Sequence, residues 1–349
     1  MIKYIGSKRV LVPWIVETIQ GLEGARTVLD LFSGTSRVGH ALKRAGYLVT
    51  ANDHNAYAAT LARCYVEADR RRVRRDAERL VAELSRVRPR AGWFTETYYE
   101  RSRYFQPHNG ARIEAMREAI ARKALDPTTE AVLLTALMEA ADRVDSTVGL
   151  QMAYLKGWAP RAYKPLELRV PDVLDGEGRA LEAEALEAAT TGAWDVVYLD
   201  PSYNQHKYLG NYHVWETLVR WDCPEVYGVA CKRIDCRTRR SAFNSRASIG
   251  PALSEIVRAV RARWIVASFS DEGFLTREDL CGLLAERGRV VEARRSHRRY
   301  VGAKIGIYNP AGEKVGRPGR LWNEERLFVV ACETDRPRRA RRSRQQEGS

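Results

Sequence analysis

Residues 195–213 read DVVYLDPSYNQHKYLGNYH, an apolar run that ends in Asp200-Pro201-Ser202-Tyr203. The pattern sets an acid, a rigid turn and an aromatic face at the carboxyl end of one strand. Open α/β sheets place their chemistry at that edge. An exocyclic base amine is a poor nucleophile because its lone pair is delocalised into the ring. A carboxylate and a nearby backbone carbonyl that accept its two N–H hydrogens localise that pair, and an adjacent tyrosine ring can stack on the base. The segment therefore suits alkylation of an amino group. Taken alone it also suits a plain turn, since Asp, Pro and Ser all favour turns.

Two segments further upstream favour the chemical reading. Residues 27–39, TVLDLFSGTSRVG, read as a short buried strand, a small-residue turn and a helix starting near Ser36. Such a turn lets backbone approach a ligand closely. Residues 48–53, LVTAND, read as the next strand and end in Asp53, at the distance downstream where a Rossmann-like site holds ribose hydroxyls. Ahead of both lies Lys3-Tyr4-Ile5-Gly6-Ser7-Lys8-Arg9, whose aromatic and basic groups could pack against a cofactor and pair with its carboxylate.

With these pieces in order, the chain resembles the Dam-like (D12 class) N6-adenine DNA methyltransferases, which use S-adenosylmethionine (SAM). KYIGSK, DLFSGTSRVG, the acid of AND and DPSYNQHKYLGNYHVWET carry the resemblance, with weaker matches in ASFSDEG (267–273), HRRYVG (297–302) and EERLFVV (324–330). It covers residues 1–66 and 165–332. The resemblance implies that Asp200 and the Pro201 carbonyl accept the adenine amine, within a catalytic Asp200-Pro201-Ser202-Tyr203 motif in which Tyr203 stacks on the base. It implies a SAM site of Tyr4, Gly6, Ser7 and Lys8, of Asp30 with Phe32, Ser33, Gly34 and Thr35 around the methionine portion, and of Asp53 at the ribose, with Asp200 on the shared border. Asp172, after the apolar LELRV run, is the expected acceptor for the cofactor's adenine amine, or else a helix N-cap. Two positions depart from the family pattern. Ser202 replaces a second proline, which is expected to loosen the turn, and Ser36 stands where the cofactor loop often has glycine.

The fold expected is α/β, a doubly wound, mostly parallel sheet of the seven-stranded methyltransferase type, with a helical insertion between the second and third strands. Residues 1–67 and 165–335 would form the transferase domain and 68–164 the insertion. Within the insertion, residues 68–90 contain the run RRRVRR, while 110–124 and 128–145 have helical periodicity. WFTETYYERSRYFQPHNGAR, between them, mixes aromatics and arginines, a composition that suits either contact with DNA or anchorage of a loop on the core.

The 349 residues carry a net charge of +14, which implies a polyanionic partner, here double-stranded DNA. The segment 231–250 is the expected DNA contact, with Lys232, Arg233, Arg237, Arg239, Arg240 and Arg246 against the single acid Asp235, joined by Lys207 beside the pocket. RRSHRRYVGAK (294–304) would extend this surface, and the arginine-rich 336–349 would be a disordered tail adding nonspecific affinity. His206 and His213 are expected to position a loop or touch substrate rather than act as bases. The six cysteines lack paired spacing, so reduced thiols are expected and no metal. No stretch looks like a signal peptide or membrane span, which makes a cytoplasmic protein the expectation. A restriction endonuclease would be a natural partner. Methylation of cytosine N4 or of an RNA amine fits the same acceptor pair, and a DNA-binding relative with an inactive pocket is a rival of another class.

Overall fold

The structure is a computed structural model that describes residues 1–152, 154–155, 157–298, 307–308, 314–316 and 322–333. Its main strands are β1 (Thr27–Asp30), β2 (Leu48–Asn52), β3 (Arg179–Leu181), β4 (Trp194–Leu199), β5 (Ala262–Ser270), β6 (Gly288–Arg298) and β7 (Trp322–Cys332). They form one seven-stranded sheet in the order β3-β2-β1-β4-β5-β7-β6. Strands β1 to β5 pair in parallel, and β7 runs antiparallel to both β5 and β6. The doubly wound, mostly parallel sheet expected from the sequence is the fold observed.

Alternation along each strand decides which helix covers which face. Val28, Val49 and Val196 point to the layer formed by Val12–Gln20 and Arg37–Arg44, where Ile15, Ile19, Val38 and Leu42 are buried against them. Leu29, Val197 and Ile265 point the other way, onto Ala188, Leu253, Ile256 and Leu284 of helices Ala185–Thr190, Ile249–Ala259 and Arg277–Ala285. Truncating one such leucine to alanine costs about 2–5 kcal/mol. Because helices cover both faces, ligand access is left at the carboxyl edge.

Between β2 and β3 the chain forms helices that include Arg70–Ser85, Pro107–Ala121 and Pro127–Val144. The first buries Val73, Ala77, Leu80, Val81 and Leu84 at helical spacing and turns its arginines outward, while Asp69 caps it by accepting the Arg71 amide at 3.0 Å. The third starts with Pro127 and is capped by Asp126, which accepts the amides of Thr128 and Thr129. Of the two readings of the aromatic segment, the core reading describes Phe94, Tyr98, Tyr104 and Phe105, all at most 1% exposed. This helical core is continuous with Ile2 and Tyr57 on one side and with Trp215 and Leu218, beyond the D-P-S-Y loop, on the other.

LELRV, the apolar run before Asp172, lies as a loop. Leu166 is buried in the helical core, with Leu168 and Val170 packed partly against it, so the alternation reflects a loop lying on helices, without a neighbouring strand to pair with. The third strand is the three-residue β3, too short to produce a sequence pattern. Residues 299–304 and the tail 336–349 lie outside the described residues. Among the described residues no helix is long and apolar enough to cross a membrane, and all six cysteines are unbridged.

Candidate functional site

The carboxyl ends of β1, β2 and β4 and the amino-terminal segment converge on one cavity, lined by Tyr4, Lys8, Asp30, Gly34, Asp53 and Asp200 among others. The turn after β1 is shaped by two left-handed residues, Gly34 at φ 52° and Ser36 at φ 57°. Ser36 thus holds the conformation that glycine adopts freely, which accounts for the glycine often found there in the resembled family. Asp53 braces the turn: one carboxylate oxygen accepts the Gly34 amide at 3.1 Å, and the other accepts the Asn55 amide at 2.9 Å. A Cβ on Gly34 would stand 3.3 Å from the Tyr4 ring, itself stacked on Tyr208 and Tyr212 with centroids 5.0 and 4.5 Å away. Gly6 has φ 69°, and a Cβ there would come within 2.8 Å of the Tyr208 hydroxyl.

Asp30 is buried and accepts the Gly39 amide at 3.1 Å. Burial first, and then the charge of Asp200, push its carboxyl up to about 7. Asp200 is likewise raised by burial to about 7, against the pull of Lys8, whose ammonium lies 3.1 Å from it. Burial works against that ammonium, yet Asp200, Tyr203 and Glu325 hold it well above the ordinary lysine value. Lys8 also pairs with Glu325, whose carboxylate accepts the Ser268 hydroxyl at 2.6 Å. The ammonium expected to meet a cofactor carboxylate is therefore already held between two protein carboxylates. Glu325 is a site residue that the sequence does not single out, since its fragment EERLFVV carries only a weak resemblance.

The loop after β4 is held more firmly than its serine suggests. The Asn244 amide nitrogen shares its two hydrogens among the Ser202 hydroxyl at 2.5 Å, the Asn204 carbonyl at 2.8 Å and the His206 carbonyl at 3.0 Å. A hydrogen-bonded clasp thus stands where the family has a second ring, and the expected loosening of the turn is corrected. Tyr203 packs on Phe269 with centroids 5.1 Å apart, and its carbonyl accepts the Phe274 amide at 2.9 Å. Phe243, beside the clasp, meets the Phe32 ring edge-on at 5.0 Å. Phe243 and Asn244 sit inside the basic segment, where nothing local to the sequence distinguishes them.

Several sequence expectations are redirected. Asp172 lies outside the cavity, exposed, with its carboxylate 2.6 Å from Arg44; the residues lining the cavity after β3 are Ala183, Glu184 and Ala185. Arg233 is buried between Asp222 and Asp235 at 2.7 and 3.1 Å and is not available to phosphates. Arg239, half-buried, meets Glu216 at 3.2 Å and the His54 carbonyl at 2.8 Å. Lys207, Arg237, Arg240 and Arg246 are exposed or partly so, as is Lys232. His213 is fully buried and bonded to the Gln151 carbonyl at 2.9 Å, and burial lowers its pKa to about 3. It positions a loop. His206 contributes a carbonyl to the Asn244 clasp.

The cavity fits SAM on chemical grounds. Ser7 and Ser33 hydroxyls and the Asn55 side-chain carbonyl line it buried and without a hydrogen-bond partner among the described residues, which leaves them open to a polar ligand. Asp30, Asp53, Glu184 and Asp200 line it beside Lys8 and Arg37, an arrangement that offers acceptors to a cationic amine and to hydroxyls, and cations to a carboxylate.

A family profile described as D12 class N6 adenine-specific DNA methyltransferase matches residues 4–276. The type II methyltransferase M.NlaIII of Neisseria lactamica is 29% identical over 287 residues, 78% of this chain and 84% of that protein. The type II methyltransferase M.CviAII of Paramecium bursaria Chlorella virus 1 is 28% identical over 311 residues, 86% and 92% of the two chains. M.FokI of Planomicrobium okeanokoites is 28% identical over 306 residues, 82% of this chain; the chain spans about half of that relative, 47%. A solved SAM-dependent methyltransferase from Agrobacterium tumefaciens aligns with 94% of this chain and 63% of its own, at TM-score 0.36 and 10% identity.

Proposed function

Because the chain belongs to the D12 class of N6 adenine-specific DNA methyltransferases, and is thus a SAM-dependent DNA methyltransferase, we propose that it methylates adenine N6 within a specific duplex sequence, on a base turned out of the stack. The observation that carries this reading is Asp200-Pro201-Ser202-Tyr203 at the end of β4, opening onto the cavity framed by Gly34, Asp30 and Asp53.

SAM, when bound, supplies a methyl group on a positively charged sulfur. Tyr4 and the Phe32–Thr35 turn would hold it, with Asp30 meeting its amine and Asp53 its ribose. Asp200 and the Pro201 carbonyl would accept the two N–H hydrogens of the base amine, and Tyr203 would stack on the ring. Direct attack needs no activated protein nucleophile, so catalysis rests on orientation and on acceptors that strengthen as the nitrogen becomes tetrahedral. The Asn244 clasp supports an active site over the inactive-relative reading, since it supplies the order that the missing proline would have given.

The relatives are named as type II or modification methylases, which supports a role in modification and an endonuclease with the same target as partner. Incubating the protein with unmethylated genomic DNA and labelled SAM, followed by nucleoside mass spectrometry and mapping of modified positions, tests the reading. Label in N6-methyladenine at one recurrent sequence is the expected result; label in N4-methylcytosine, or in RNA alone, would overturn it.

A further inference from the structure

Glu325 stands on β7, 3% exposed, in contact with an ammonium that reaches it from the other end of the chain. We propose that Glu325 is a positioning residue that, by sharing Lys8 with Asp200, draws the ammonium's charge away from Asp200 and makes its carboxylate the stronger acceptor for the substrate amine. The inference rests on the reading of Asp200 as that acceptor.

The argument is one of charge and geometry. Lys8 alone beside Asp200 would make a neutral pair, and a carboxylate neutralised at 3.1 Å attracts N–H hydrogens, and the positive charge that grows on the amine, less strongly. A second buried carboxylate on the same ammonium leaves the triad with one negative charge. Ser268, from β5, bonds the Glu325 carboxylate at 2.6 Å and fixes it under Lys8. Among the described residues, the remaining groups that face the triad are Tyr198 from β4, Tyr203 from the loop, Tyr208 from helix Tyr208–Asn211 and Asp30 from β1. None of these supplies a second cation. The elevation of Asp200 agrees: burial first and Glu325 with it raise the carboxyl, while Lys8 opposes both.

Glu325→Gln keeps the shape of the side chain and an oxygen that can accept, and removes the charge. With full-length protein, cognate duplex DNA and SAM, its turnover at pH 8 should fall about tenfold, and the acid limb of its kcat profile should move down by about one pH unit. SAM affinity measured without DNA should stay within about twofold, and Glu325→Asp, which retains the charge, should return the limb to its wild-type position. An unmoved acid limb in a folded Glu325→Gln protein would overturn the proposal. If the glutamine variant does not fold, a displaced limb in Glu325→Asp overturns it equally. A wild-type protein inert on DNA would overturn this inference together with the proposed function, whereas wild-type transfer with an unmoved limb would sink the Glu325 role alone.

Discussion

Asn244 does by hydrogen bonding what a proline ring does by covalent constraint, and the difference is measurable. Asn244→Ala should lower turnover by roughly tenfold or more, since each net bond contributes about 0.5–1.5 kcal/mol, while SAM binding without DNA changes little. Adding Ser202→Pro to that variant should recover part of the loss in single-turnover assays; no recovery would mean that the clasp serves something other than loop order. Asp200→Ala should lose about 100-fold or more in transfer rate with circular dichroism unchanged, because no neighbour replaces a preorganised acceptor. Tyr203→Phe should keep most activity that Tyr203→Ala loses, because stacking uses the ring. The Asp200 loop is legible in the sequence since its acid, turn and aromatic are consecutive residues. Asn244 and Glu325 are not, because each reaches the site only through tertiary folding.

Short elements mark the limit of what pattern can reveal. β1, β2 and β4 can be read from runs of Val, Leu and Ala closing on an acid or turn, but β3 offers only Arg179–Leu181. LELRV imitates a strand because a loop lying on helices also buries alternate residues. The basic segment divides in the same way: charge is visible in sequence, burial is not. Replacing Arg237 and Arg240 together by Glu should weaken DNA binding and flatten its salt dependence, by about 0.9 in log–log slope for each phosphate no longer neutralised. Arg233→Glu should instead destabilise the fold by about 3–5 kcal/mol in urea unfolding, as it sets a third acid between Asp222 and Asp235. Equal effects of both changes on DNA binding, with Arg233→Glu as stable as wild type, would contradict this division.

At the scale of the molecule, acidic groups gathered at one sheet edge make stability depend on pH. Asp30 and Asp200 are both raised to about 7, so the stability linked to their protonation is fully present below the ordinary carboxylate range near pH 4 and is lost as pH rises through about 7. Thermal melts of the protein without SAM should therefore drop between pH 5 and pH 8, and Asp30→Asn should reduce that drop. A drop of wild-type size in the variant would remove Asp30 from the account. The same assembly also bears on how the chain matures at the ribosome. Lys8 leaves the exit tunnel early, yet its partner Glu325 is 317 residues behind. At about 5–20 residues per second, the interval is on the order of 15–60 s. A nascent chain stalled before β7 can wind the earlier strands and seat Lys3, Tyr4 and Ile5 on Asp142, Tyr208 and Tyr212, but it lacks the second carboxylate on Lys8. Synthesis itself then sets an order: the ammonium meets Asp200 first and gains its second carboxylate only when the last strand is threaded in.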